Sequence, residues 1–395
     1  MFSSGAMPST PCTSNRTRVA TRIGAFVMVG ALAACAGEPV SAQGETFKSE
    51  RHSYRVVTVA DGLANPWGMA FLPGGDILVT ERPGRLRVIR NGKLDPQPVA
   101  GVPEVRAQGQ GGLLDVVLHP NFASNRLVYL SYSKPGPKGA TTAVARGRFE
   151  GNRLANVQDI FVADAWSTAG QHFGSRMVFD RNGYLYVTIG DRGNMKNGQD
   201  RSNHTANTLR LHDDGRVPKD NPFVGQSGAR AEIFTYGNRN IQGMAVHPQT
   251  GQVWGNEHGP RGGDEINVLR AGRNYGWPVV THGVNYNGSP ITERTSAPGI
   301  EPPVLHWTPS IAPSGMAFYT GNAFPQWRGN VFNGALAGMH LRRVVFDGTR
   351  VVSQEKLLDG YGKRIRDVRN GPDGFLYLLV DDSRAPVLRL EPVRP

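Results

Sequence analysis

One phrase recurs six times along this 395-residue chain and restricts its fold more than any other feature. It consists of a small residue, alternating apolar positions, a turn rich in Pro, Asp, Asn or Gly, and then a strongly β-prone run. The copies are NPWGMAFLPGGDILVTER around Trp67, GGLLDVVLHPNFASNRLVYLSYS from Gly111 and GSRMVFDRNGYLYVTIGD from Gly174. IQGMAVHPQTGQVWGNE from Ile241, PSGMAFYTGNAFPQWRGNVFNGAL from Pro313 and RIRDVRNGPDGFLYLLVDD from Arg364 follow. Turns such as DRNG and GPDG supply the positive-φ positions of a hairpin, so each copy reads as two antiparallel strands. Further apolar runs, such as Gly84–Arg90 and Pro386–Pro392, bring each unit to about four strands, the size of a propeller blade. The expectation is an all-β, six-bladed β-propeller over residues 54–395, with Tyr54–Asp61 completing the last blade. A doubly wound α/β fold is disfavoured because segments of 3.6-residue periodicity are nearly absent. Two stacked sandwiches would leave the six similar phrases unexplained.

Composition agrees. Gly 50 and Pro 28 make up about a fifth of the chain, above ordinary usage but below that of low-complexity proteins. The net charge is +12, and residues 1–42, with three Arg and one Glu, account for +2 of it. A body of +10 admits nucleic acid as a partner. However, no dense basic run or helix-turn-helix pattern supports that, and no nucleic-acid partner is expected. An anionic small molecule is the sharper reading of the charge, and a merely basic envelope protein the blander one.

The first 42 residues read as an export signal. Arg16, Arg18 and Arg22 precede an apolar run, Ile23–Ala34, that is short for a membrane span. LAAC at Leu32–Cys35 resembles a lipobox that would lipidate Cys35, and VSA before Gln43 resembles ordinary signal cleavage, which is slightly preferred. The protein is expected to be periplasmic, and membrane-attached if lipidated at Cys35. Residues 43–53 read as a short linker. Cys12 and Cys35 are the two cysteines, so the body has no disulfide and no thiolate metal site. A monomer or homodimer is expected.

In a propeller the segments entering the innermost strands gather at one mouth of the central channel. Polar residues just before each phrase therefore converge: Gln108 and Gln110, Gln171 and His172, Arg239 and Asn240, Ser310–Ser314, Arg364 and Arg366. His172 suits a general base at neutral pH, although an isolated histidine is more often part of a loop scaffold. Arg364 and Arg366 alternate on one strand and face the same side. With Arg239 they would hold a multiply anionic ligand through bidentate bonds, or else form a solvated rim. The segment GNEHGPRGGDEINVLRAGRNYGWP, residues 255–278, mixes glycines with Glu257, His258, Asp264 and Glu265. Backbone carbonyls and carboxylates together suit calcium, while the plainer reading is a loop whose Asp264 and Glu265 cap turns.

GQGGLLDVVLHPNF, HFGSRMVFD, YGNRNIQGMA, NEHGPRGGDEINVLRAGRNYGWP and RIRDVRNGPDGFLY resemble the soluble aldose sugar dehydrogenases that use pyrroloquinoline quinone (PQQ), from about Tyr54 to Pro392. The resemblance implies that His172 is the base that removes the sugar hydroxyl proton. It implies cofactor contacts by Gln110, Arg239, Asn240, Tyr286, Arg364 and Arg366. It also implies a structural Ca2+ at Glu265 and the Tyr275 carbonyl, and a catalytic Ca2+ at the Gly259 and Pro260 carbonyls. The implied reaction oxidises an aldose at its anomeric carbon to a lactone and passes electrons to an external acceptor. Two positions depart from the family pattern: Ala337 stands where a cofactor-contacting Lys is common, with Arg342 or Arg343 as candidate substitutes, and Gln171 stands where the glucose dehydrogenase branch has an acid. Two other readings compete. One is a calcium-dependent lactonase, which would want several carboxylates at the mouth. The other is a non-catalytic extracellular binding module.

Overall fold

The computed structural model describes residues 45–393. The expected export segment, residues 1–42 with Cys12 and Cys35, lies outside the described residues.

Six antiparallel sheets are present, and their inner strands neighbour one another in ring order. Blade 1 runs through Pro66–Phe71, Ile77–Glu81, Arg85–Arg90 and Lys93–Leu94. Blade 2 comprises Leu113–Leu118, Leu127–Gly136, Gly139–Phe149 and Leu154–Val162. Blade 3 comprises Met177–Phe179, Leu185–Ile189, Asn207–Leu211 and Ile233–Tyr236. Blade 4 is built from Ile241–Val246, Val253–Glu257, Asp264–Leu269 and Leu305–Trp307. Blade 5 has Pro313–Phe318, Val331–Ala335, Leu341–Asp347 and Arg350–Leu357. The expected six-bladed β-propeller is therefore the fold.

Blade 6 draws on both ends of the chain. Ile365–Asn370, Leu376–Val380 and Ala385–Pro392 are joined by Ser53–Leu63, with Val56 opposite Leu390. The segment read as a linker carries a short fifth strand, Thr46–Lys48, paired to Ser53–Arg55. It is held there because Phe47 stacks on Tyr54 and Glu50 pairs with the buried Arg343 at 2.8 Å.

Both faces of each blade are buried against neighbours, so adjacent residues on a strand enter different cores. Leu130 packs with Leu78 and Val88 of blade 1, while Tyr129 packs with Val187 and Leu209 of blade 3. In the WGMA, QGMA and SGMA phrases a glycine recurs on the innermost strand. At Gly68 and Gly315 a Cβ would run into the carboxylates Asp115 and Asp367 of the next blade. Glycine there lets inner strands approach closely enough to bring those carboxylates together. In blades 1, 2, 4, 5 and 6 the innermost pair also shifts register at its mouth end. Such bulges re-aim side chains, here at the channel entrance.

The carboxylates belong to an ion network inside the ring. Arg176 reaches Asp115 and Asp367 at 3.1 Å each, and Arg369 reaches the same two acids at 2.9 Å. Asp115 also accepts from the Met177 amide, Asp367 from the Met69 amide, and Arg176 Nε donates to the Gln242 carbonyl. Blades 1, 2, 3, 4 and 6 are tied at one point. Removing one member leaves buried charge uncompensated, which costs about 3–5 kcal/mol. Arg176→Met is thus expected to lower unfolding free energy by about that amount in denaturant titration; a loss below about 1 kcal/mol would show that the network does not clamp the ring.

Candidate active site

Above this network lies a cavity of about 250 Å³ at the mouth. His172 enters just before the blade 3 inner strand, in a left-handed conformation (φ 53°). Its amide donates to Gln110 Oε1 at 2.8 Å, and its Nδ1 lies 2.6 Å from Asp191 Oδ1. Asp191 also accepts from the Gly193 amide at 2.7 Å and from Trp277 Nε1 at 2.9 Å. Burial pushes the Asp191 carboxyl up, but the hydrogen bond and charge of His172, the charge of Arg239 and the Gly193 amide outweigh burial and hold it below its ordinary value. An ionised Asp191 accepts, so Nδ1–H donates and Nε2 keeps its lone pair. That is the arrangement of an oriented base.

Arg364 and Arg366 both line this cavity, as their alternation predicts, while His172 itself is buried behind Phe173 and Gly174 of the wall. Both reach Asp381 Oδ2, at 2.9 and 3.3 Å. Burial, opposed by Asp381 and reinforced by Arg82 and Arg364, brings the Arg366 guanidinium down to about 10, still charged near neutrality. Burial likewise raises Asp381, yet Arg366, Arg364 and Arg82 draw its carboxyl below the ordinary range. Part of the cationic charge is thus met by a protein carboxylate. The converging set drawn from the sequence contains no acid, and the structure adds two: Asp381 in the cavity wall and Asp191 behind His172.

Arg239 lies over the Trp277 ring, 5.3 Å from its centroid, and donates to the Gly259 carbonyl at 2.7 Å. Asn240 is buried. Its Oδ1 accepts from the Gly174 amide, and its Nδ2 has no partner. Nε of Arg239 and of Arg366 are likewise buried donors without partners. Tyr286 is 72% exposed, its hydroxyl 3.5 Å from Arg239 Nη2. His258 Nε2 donates to the Pro313 carbonyl at 2.7 Å, and burial, with Arg239 and Arg366, drops its pKa to about 3. It is a neutral imidazole in the cavity wall. Neither Arg342 nor Arg343 lines the cavity, and Arg343 is committed to Glu50 and Glu355.

A smaller recess adjoins the cavity at His258 and is lined by Gly259, Glu265, Tyr275 and Glu257. Pro260 is buried beside it. Asp264 is a loop organiser, as the plainer reading had it: it accepts from the amides of Gly259, Ile311 and Ala312 and from Ser310. Burial and the charge of Glu257 push Glu265 up to about 8, and burial brings Glu257 to about 6 against its hydrogen bonds from Asn238 and the Arg239 amide. Asn267 Nδ2 bridges the pair, and its Oδ1 is a buried acceptor without a partner. Among the described residues no three His, Cys, Asp or Glu side chains form a metal nest. A cation here would rely on one carboxylate and backbone carbonyls. The buried Glu257 and Glu265 and the unpartnered Asn267 Oδ1 are oxygen donors that fit a hard divalent cation, although the Arg239 guanidinium lines the same recess and occupies the Gly259 carbonyl.

Sequence reasoning missed Asp191, Trp277, Asp381 and Arg82. Three of these follow the second strand of a blade, where the quoted phrases end in VTER, TIGD and LVDD.

The sequence profile described as Glucose / Sorbosone dehydrogenase matches residues 63–389. The aldose sugar dehydrogenase YliI of Escherichia coli is 46% identical over 343 residues, covering 85% of this chain and 92% of that protein. Quinoprotein glucose dehydrogenase B of Acinetobacter calcoaceticus is 27% identical over 442 residues, covering 90% and 91%. The PQQ-bound aldose sugar dehydrogenase of Streptomyces coelicolor superposes with a TM-score of 0.72 at 28% identity, covering 86% of this chain and 98% of that one.

The acid pair sets a pH dependence. Folded Glu257 and Glu265 keep their protons to about 6 and about 8, against 4.5 for an ordinary Glu. The folded state then binds more protons than the unfolded state across this window, so stability falls as pH rises. In chelator, the melting temperature is expected to decline between pH 5 and 8.5, and Glu265→Gln to flatten that decline. An unchanged slope in Glu265→Gln would remove Glu265 as its origin.

Proposed function

The chain belongs to the glucose/sorbosone dehydrogenase family, and from that premise we propose that it oxidises aldose sugars at the anomeric carbon to lactones, using PQQ and calcium. The observation that carries this reading is the oriented His172–Asp191 pair, adjoining the cavity residues Phe173 and Gly174, at a mouth whose cavity is lined by Arg82, Arg364 and Arg366.

PQQ, when bound, supplies the two-electron acceptor, and its three carboxylates match the arginine-rich wall. Arg364, Arg366 and Arg239 would hold it, with Asn240 and Gln110 offering amide groups and Tyr286 closing over the entrance. His172 takes the anomeric hydroxyl proton at Nε2 as the C1–H bond breaks. Asp191 stabilises the resulting imidazolium, and Trp277 and the Gly193 amide keep Asp191 in place. Calcium would sit at the Gly259 and Pro260 carbonyls, where a Lewis acid assists oxidation, and at Glu265 with the Tyr275 carbonyl as a structural ion. Gln171 gives the substrate side a neutral amide, so glucose is not assumed to be the preferred sugar. The same reading takes the physiological acceptor to be external and the reaction to be periplasmic, on the strength of the basic and apolar pattern of residues 1–42.

Titration of metal-stripped protein with PQQ and calcium, followed by dye-linked oxidation of an aldose panel, tests the reading. Saturable turnover is expected, and His172→Ala should abolish it while still binding PQQ. Asp191→Asn leaves the imidazole in the wrong tautomer and is expected to lower kcat by about 10²-fold or more with PQQ binding retained. Wild-type turnover in PQQ-loaded His172→Ala would sink the assignment of the base.

A further inference from the structure

Arg82 follows the second strand of blade 1 and lines the same cavity as Arg364, Arg366 and Asp381. Its position is fixed by backbone contacts. The Arg82 amide donates to the Asn65 carbonyl and its carbonyl accepts from the Leu113 amide, at 3.1 Å each. Its Nη1 donates to the Gly109 carbonyl at 2.7 Å. Arg364 and Arg366 share Asp381, whereas Arg82 has no carboxylate within ion-pair distance among the described residues. Its Nε is buried without a hydrogen-bond partner. Three guanidinium groups therefore face one carboxylate, and the unmatched one is held rigidly by main-chain atoms. A preorganised, unpaired cation in a partly desolvated cavity is what an anionic ligand engages most strongly.

We propose that Arg82 is a further anion-binding residue of this site, engaging a carboxylate of the bound ligand directly. The inference rests on the PQQ reading for the ligand's identity, but its chemistry requires only a polycarboxylate. Two features give it consequence. Ala337 contributes no cation to this cavity, and the arginine comes from blade 1, whereas Arg364 and Arg366 come from blade 6. The ligand's carboxylates would then be gripped from two blades. Arg82 also braces the Gly109 turn beside Gln110, whose side chain holds the His172 amide.

Equilibrium binding to the metal-loaded protein decides the matter, with PQQ, its trimethyl ester and benzene-1,3,5-tricarboxylate as probes. Arg82→Gln is expected to weaken PQQ at least tenfold while leaving the uncharged ester within twofold. Arg82→Lys keeps the charge without the planar fork and should fall between them. Equal PQQ affinity in wild type and Arg82→Gln overturns the proposal. So does an equal loss for PQQ and the ester, which would make Arg82 a brace only. If Arg82→Gln does not fold, Arg82→Lys answers: binding at least threefold weaker supports the contact and unchanged binding overturns it. Wild-type protein that binds the tricarboxylate in an Arg82-dependent way, but not PQQ, would end the cofactor reading and keep this one. Binding of neither probe ends both.

Discussion

The site depends on the ion network of Asp115, Arg176, Asp367 and Arg369 inside the ring. Two carboxylates on inner strands of different blades would repel each other. Arg176 and Arg369 turn that repulsion into a clamp. The clamp also sets the floor on which the site is built. Arg176 Nε holds the Gln242 carbonyl, the Gln242 side chain donates to Asn240 and to the Gly174 carbonyl, and Arg366 donates to Gln242 Oε1 at 3.4 Å. Two of the residues assigned to the ligand, Asn240 and Arg366, thus inherit their positions from one buried guanidinium. The glycines of the GMA phrases make this possible, because any side chain there would push the acids apart.

Electrostatically the mouth is divided. On the blade 3 side an ionised Asp191 is fully engaged by His172, Trp277 and a main-chain amide, so it orients without offering free negative charge. On the blade 6 and blade 1 side cations outnumber Asp381. On the blade 4 side burial raises both Glu257 and Glu265, and the charge of Glu257 raises Glu265 further. The His172–Asp191 pair, an arginine-rich wall and an acid-rich recess therefore share one channel entrance. His258, a neutral imidazole, lines both the recess and the cavity, and Arg239 shares the recess with Glu257 and Glu265.

The fold was legible because the blade phrase repeats and because every strand alternates on a period of two. The converging set was legible because topology alone brings the starts of inner strands together, and His172, Arg239, Arg364 and Arg366 do meet there. What stayed hidden lies at the ends of the same phrases. The mouth-side loop after each second strand faces the channel too, and TIGD and LVDD carry the acids that orient the base and hold the arginines. Glu81 and Glu257 occupy matching places, where Glu81 binds Arg85 and Arg87 instead. Sequence offers no means of telling these roles apart, since they differ only in which neighbour's side chain is within reach. Tyr286 came from the family resemblance and not from the repeat: it sits on a long insertion between the third and fourth strands of blade 4, outside the phrase that fixes the other positions.

Blade 6 joins Ser53–Leu63 to Ala385–Pro392. Ser53–Leu63 therefore keeps one hydrogen-bonding edge open until Ala385–Pro392 pairs with it. Blades 1 to 5 consist of consecutive strands and can each pair locally, but the ring, and with it the clamp that needs Asp367 and Arg369, cannot close before blade 6 is assembled. The mouth acquires its final charge distribution at that same moment, since Arg364, Arg366 and Asp381 all belong to the closing blade. A chain lacking blade 6 would therefore lack the anion-binding wall together with the closed ring, so closure and competence for the ligand arrive as one event.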